Sequence, residues 1–201
     1  MKKVLSFILV VVMIMALTAC QNSKTSYSFE EVKQMAEEQI PVISMMLGDD
    51  WDAKNLPESM FIMVANARYL YRLDKGEEMP TVAVAENDFS VNEGIKIDVL
   101  IPVITKYFPF SEQLLRESFE NSSVYGNGLI YDEQNDAVIL GDGWGWGLGA
   151  VVHDVTDNQD GTYDISYGMY TSDVLEIEGV VKAKIHPDGY LQFISNKQSH
   201  V

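Results

Sequence analysis

Residues 151–171 read VVHDVTDNQDGTYDISYGMYT, and the fold turns on them. After Asp157-Asn158-Gln159-Asp160-Gly161, the apolar residues Tyr163, Ile165, Tyr167 and Met169 fall on every second position. A period of two puts those four side chains on one face of a strand. Asp, Asn and Gly suit the backbone angles of a tight reversal. Residues 151–155 and 163–169 therefore read as the arms of an antiparallel hairpin.

The same reading extends in both directions. Downstream, Ile177, Val181, Ala183 and Ile185 alternate, and Pro187-Asp188-Gly189 turns the chain into 190–194. Upstream, 129–131 and 137–140 flank a turn at 132–136, and Gly126-Asn127-Gly128 makes another. Consecutive strands joined by short turns imply a meander.

The N-terminal half has helical spacing instead. Ser28 and Glu31 have the positions of a capping box, and Val32, Met35, Ala36, Ile40, Ile43, Met46 and Leu47 recur at threes and fours up to Gly48. Pro41 inside this pattern predicts a kink or two short helices. A second helix is expected with Asn55 as cap, Pro57 in its first turn, an apolar stripe of Met60, Phe61, Val64, Ala67, Leu70 and Tyr71, and Gly76 as its stop. Residues 81–85 read as a short strand and 86–94 as a polar turn. Asp98 is expected to cap a third helix that Pro109 closes, and 111–119 to form a fourth.

Helices followed by four or more antiparallel strands imply an α+β fold, with N-terminal helices packed on a curved C-terminal antiparallel β-meander. No repeat or low-complexity linker interrupts residues 28–201, which read as a single α+β domain. The layout resembles the cone-shaped NTF2-like and cystatin-like folds, in which a pocket often lies between helix and sheet.

The first twenty residues carry an address. Lys2 and Lys3 precede an apolar run over 4–17 broken only by Ser6, the length of a signal segment and too short for a comfortable membrane span. Leu17-Thr18-Ala19-Cys20 follows, and it resembles the bacterial lipobox. The resemblance implies cleavage after Ala19 and a diacylglyceryl thioether on Cys20, with palmitate-type chains holding the mature protein on the extracytoplasmic face of the cell membrane. In signal and layout the chain is similar to small surface lipoproteins of Gram-positive bacteria. Cys20 is the only cysteine, so no intrachain disulfide and no cysteine metal cluster can form. Residues 20–27 make a short tether, which fully extended spans at most about 25 Å.

Charge narrows the partners. The 201-residue chain has a formal charge of −16, and removing a leader that contains Lys2 and Lys3 takes it to −18. Such a body is repelled by nucleic acid and by anionic headgroups, and gains solubility. The expected contacts are the membrane, through the lipid on Cys20, and a protein or an envelope glycan.

One stretch is unusual. Residues 141–149 are Gly-Asp-Gly-Trp-Gly-Trp-Gly-Leu-Gly. If extended, it would show bare backbone on one face and Asp142, Trp144, Trp146 and Leu148 on the other. Three readings stand: close packing of a neighbour on the bare face, a groove in which Trp144 and Trp146 stack on a ligand while Asp142 accepts a hydrogen bond, or a loop.

Other chemistry finds no motif. Counted from Asp157, the fifth position is Gly161 and the twelfth is Gly168, so the resemblance to a calcium loop fails. His153, His186 and His200 are isolated from one another, with His200 in a tail expected to fray. No Gly-x-Ser-x-Gly elbow or phosphate-cradling loop is present. A glycosidase-like carboxylate pair, such as Asp142 with Asp154 or Asp164, would have to assemble in space. No catalytic residue, metal site or cofactor is assigned. The sequence reads as a non-enzymatic binding module on a lipid anchor; the alternatives are a hydrolase of wall glycan or peptide, and a structural subunit of an envelope complex.

Overall fold

The computed structural model describes residues 27–58, 60–84, 92–122, 129–140 and 149–201. The chain is mixed α+β, with the N-terminal helices preceding most of the strands. Helix α1 (Phe29–Gln39) leads through a turn into a 3-10 segment, Ser44–Gly48. Helix α2 (Met60–Lys75) follows, then strands β1 (Val82–Ala83) and β2 (Glu93–Lys96), and helices α3 (Ile97–Tyr107) and α4 (Glu112–Glu120). The remaining strands are β3 (Leu129–Asp132), β4 (Ala137–Leu140), β5 (Gly149–Asp157), β6 (Thr162–Thr171), β7 (Val174–Ile185) and β8 (Leu191–His200).

Local chemistry explains where the elements begin and end. The Ser28–Glu31 capping box forms as expected, the Ser28 N–H donating to Glu31 Oε2 at 2.8 Å. Helix α1 stops at Gln39, two residues before Pro41, and the chain resumes as the 3-10 segment. Gly76, at φ 73°, ends α2. Asn55 does not cap α2, because its side chain donates to both carboxylate oxygens of Asp52, at 2.9 and 3.0 Å, in a separate turn. Asp98 lies in the first turn of α3, where Lys96 holds the cap position; a carboxylate there still suits the helix N-terminus.

The strands form two antiparallel sheets, in the orders β1-β2-β4-β3 and β5-β6-β7-β8. The expected meander is the second of these. The 129–140 hairpin does not extend it, because β4 pairs instead with β2, Ile95 opposite Val138. Gly94, expected in a turn, is a strand residue of β2; a Cβ there would lie 2.9 Å from Val84 Cγ1 and 3.2 Å from the Val138 carbonyl oxygen. His200 is not frayed: it pairs with Ile177 in the last register position of β8.

One face of the larger sheet supplies Ile165, Tyr167, Met169, Ile177, Val181, Ala183, Leu191 and Phe193 to the buried core. Helix α1 reaches both edge strands, β5 and β8. Eleven helical residues are about 16 Å long and three inter-strand spacings about 14 Å, so α1 bridges the sheet. Trp51 packs edge-on against Phe108 at 5.4 Å, and Phe108 meets Phe193 at 5.8 Å, which ties the end of α3 to β8.

A buried polar joint fixes the 3-10 segment to this sheet. The β7–β8 register shifts between Lys182 and Ala183, which makes Ile194 an extra residue in β8. The bulge changes the phase of the strand, so Asn196, opposite Val181, faces the core. Its amide donates to the Leu47 carbonyl at 3.1 Å and the Asp49 carbonyl at 2.8 Å. The single Tyr167 hydroxyl proton is shared between the Leu47 carbonyl and Asn196 Oδ1, both at 2.9 Å. Gly179, opposite Tyr167, leaves room for the phenol: a Cβ there would collide with the hydroxyl oxygen. Asn196 and Trp51 also exchange both backbone hydrogen bonds.

Asn196→Ala removes both hydrogen bonds that the amide donates and leaves the part-buried Asp49 carbonyl without that donor, and should cost about 2–3 kcal/mol; Tyr167→Phe keeps both of those bonds, removes only the proton offered to Leu47 and Asn196 Oδ1, and should cost about 1 kcal/mol. Urea unfolding of the two variants checks the order; equal losses would refute this account of the joint.

Candidate functional site

A groove opens where the chain leaves α1 and passes beside α2. Its volume is about 540 Å³, and Pro41, Val42, Ser44, Met45, Tyr69, Arg72 and Leu73 line it. Pro41 explains one wall: with α1 ended before it, residues 41–45 turn away from the helix axis and stand opposite α2. Tyr69 and Leu73, one helical turn apart, form the other wall. They are 58% and 54% exposed, although α2 buries Met63, Ala67 and Leu70 completely. Arg72 lies between them and is paired with Glu78 at 3.3 Å, both side chains 67% exposed. An ion pair so open to water contributes little stability, so Arg72 can exchange it for another anion. The groove thus offers an apolar trough with one exchangeable cation and no lining carboxylate.

The outer face of the larger sheet holds a second cluster. Register shifts at Val152/Asp154 make His153 the extra residue of a β5 bulge. Its ring lies over Gly168, where a Cβ would come within 2.7 Å of it, and His153 Nε2 lies 2.9 Å from the Tyr170 hydroxyl. The bulge and the glycine together let an exposed imidazole lie flat on the strand.

No protein family, no curated protein and no solved structure matches this chain.

Asp142, Trp144 and Trp146 lie outside the described residues, as do Leu17, Ala19 and Cys20. Gly149, the last residue of the Gly/Trp stretch, opens β5, whereas Leu140 before the stretch ends β4 in the other sheet. Of the carboxylates proposed as partners for Asp142, Asp154 stands opposite Ser166 and Asp164 opposite Thr156, as diagonal neighbours on the sheet. An ion pair with Lys182 at 2.8 Å holds Asp164 below the ordinary carboxylate range, which unsuits it to donate a proton. His153 bonds a tyrosine rather than a serine, and His186 stacks on Tyr190 at 4.5 Å. Among the described residues no three His, Cys, Asp or Glu side chains gather as a metal site.

Sequence reasoning missed Tyr69, Arg72 and Leu73. The available signal was that Tyr69 and Leu73 are large apolar residues four apart and outside the stripe assigned to the core of α2.

The Asp164 carboxyl should titrate below 3.8 by carbon NMR, and Lys182→Met should move it back toward that value. Because the folded pKa is depressed, the pair's contribution to stability is present above pH 3.8 and is lost as pH falls through the lowered value. An unshifted titration would refute the effect of the ion pair, and only a titration raised above 3.8 would return Asp164 to candidacy as a proton donor.

Proposed function

We propose that the mature protein is a lipid-anchored, extracytoplasmic binding module without chemistry of its own, and that it takes an apolar segment of a partner protein in the groove between residues 41–45 and α2. The anchor half of this reading rests on Leu17-Thr18-Ala19-Cys20 and the charged, apolar leader before it. The binding half rests on a single observation, the exposure of Tyr69 and Leu73 along an apolar trough. Two large side chains left in water on a helix that buries its other apolar face signify a contact surface.

The chemistry of the trough favours a protein over a glycan. A sugar site usually presents an open aromatic face with several hydrogen-bonding groups. Among the described residues the lining is mostly aliphatic, and Ser44 and Arg72 are its polar side chains besides the Tyr69 hydroxyl. An amphipathic helix or a short apolar strand with an acidic residue fits that set, the acid displacing Glu78 from Arg72. Among the described residues that line the groove there is no carboxylate, imidazole or thiol to serve a hydrolase as proton donor.

A photoreactive benzophenone side chain at position 69, in whole cells carrying the full chain, should yield one dominant protein adduct. Leu73→Asp should weaken capture by roughly tenfold, the loss of one good apolar contact. Mass spectrometry of the membrane-bound protein should find Cys20 as the N-terminal residue, carrying a diacylglyceryl group. Adduct yield indifferent to Leu73→Asp would discard the groove; an unmodified Cys20 thiol would discard the anchor.

A further inference from the structure

The tether reaches the folded domain at one particular place. Tyr27 packs on the turn between β7 and β8: a Cβ on Gly189, at φ 86°, would lie 2.9 Å from the Tyr27 hydroxyl oxygen. Glycine serves that turn twice, by adopting the left-handed angle and by giving up the space. The capping box at Ser28 then fixes the direction in which the chain continues into α1. The polypeptide thus joins the fold beside residues 186–190, at the end of the larger sheet where β7 finishes and β8 begins.

The opposite end is distant. Strand β7 has twelve residues, which at the rise of a strand separate Val174 from Ile185 by about 36 Å. The Ser172–Asp173 turn, with φ of 47° and 70°, lies at that far end together with Gly149 and His200. Seven Cα–Cα steps from Cys20 to Tyr27 reach about 25 Å at most.

Side chains at the near end suit an interface. Phe29 is 46% exposed two residues after Tyr27, and His186 and Tyr190 stack across the turn. Aromatic rings with polar edges favour the headgroup level of a bilayer. Charge does not draw this end in, since Asp188 sits on the turn itself. The acidity of the whole body instead disfavours resting side-on against an anionic surface.

We infer that the 186–190 end of the larger sheet, with Tyr27 and Phe29, faces the lipid headgroups, and that the Ser172–Asp173 end points away from the membrane. The inference rests on the lipid-anchor reading of Cys20.

The test uses the full lipidated chain in anionic vesicles of phosphatidylcholine and phosphatidylglycerol. Because lipid would occupy the sole native thiol, Asp188→Cys and Val174→Cys each provide one reactive thiol, on a 79% exposed side chain and a 59% exposed residue respectively. Each is labelled with a fluorophore, and a headgroup nitroxide lipid is the quencher. The label at 188 should be quenched at least about threefold more than the label at 174, given their separation along β7. Equal quenching, meaning a side-on domain, or the reverse order would overturn the inference while leaving the anchor intact. Protein that fails to float with the vesicles would overturn the anchor reading, and the inference with it.

Discussion

The contact between Tyr167, Asn196 and the carbonyl of Leu47 is the constraint on which the rest of the arrangement depends. A 3-10 segment of five residues has little stability of its own, because its hydrogen-bond geometry is poor. It is held by a buried amide and a buried phenol whose alternatives are all worse. Rotating the Asn196 amide would point its oxygen at the Leu47 and Asp49 carbonyls, so the pair of carbonyls fixes its orientation. Burial pushes the Tyr167 hydroxyl well above the usual phenol range, so it stays a neutral donor at any pH the protein meets. With residues 47–51 fixed, Trp51 is placed against Phe108 and Phe110, and the chain before the 3-10 segment is placed opposite α2. The groove is in that sense a by-product of the joint.

Bulges set the direction of the informative side chains. Without the extra residue at Ile194, the alternation that buries Leu191 and Phe193 would carry Ser195 inward and leave Asn196 outside. Without the bulge at His153, its imidazole would not lie across Gly168. In both cases one residue out of phase turns an ordinary strand position into a special one. The same bonds also occupy an edge of the sheet: β8 is covered by the backbone of Trp51, by Asp50 accepting from the Gln198 N–H at 2.9 Å, and by Gln39 accepting from the Leu191 N–H at 3.2 Å. A strand edge with its donors already engaged is a poor template for pairing with another chain.

What could be read in advance follows from range. The hairpin at 151–171 and the Pro187-Asp188-Gly189 turn were legible because period-two alternation and turn residues are local signals, and Ser28/Glu31 was legible because a capping box lies within four residues. The second sheet was legible only in pieces: 81–85 and the arms of the 129–140 hairpin read as strands, but β2 did not. Its four residues are too few for a period to show, and its pairing with β4 depends on contacts about forty residues apart. Asn55 misled for a similar reason: it has the right type for a cap, but Asp52 is nearer. Ser172-Asp173 makes a two-residue reversal without glycine, so no strong turn signal marked it. Bulges leave no clear trace in a single sequence, and with them Asn196 and the setting of His153 were hidden. The groove lay in between. Tyr69 and Leu73 were visible as apolar residues off the helix stripe, but a scattered exposed side chain is ordinary, and only the opposing wall at 41–45 makes them a pair.

Anchoring changes how much a site must do by itself. A trough lined by Pro41, Val42, Ser44, Met45, Tyr69, Arg72 and Leu73 is small beside the roughly 20–30 residues a side of a stable protein–protein interface, and in free solution such a contact would be weak. On the proposed lipid anchor, the module and any partner of the same envelope layer are held together by geometry, and the second contact becomes effectively intramolecular at roughly millimolar local concentration. Weak recognition is then enough for occupancy and keeps exchange fast. The strongly acidic body fits the same proposal: on such an anchor its charge would hold the domain off anionic lipid, while the aliphatic trough would supply attraction at one place. Discrimination would come from the exposed Arg72–Glu78 pair, because a partner without an acidic group at that point gains only apolar burial, whereas one that offers a carboxylate takes over the arginine.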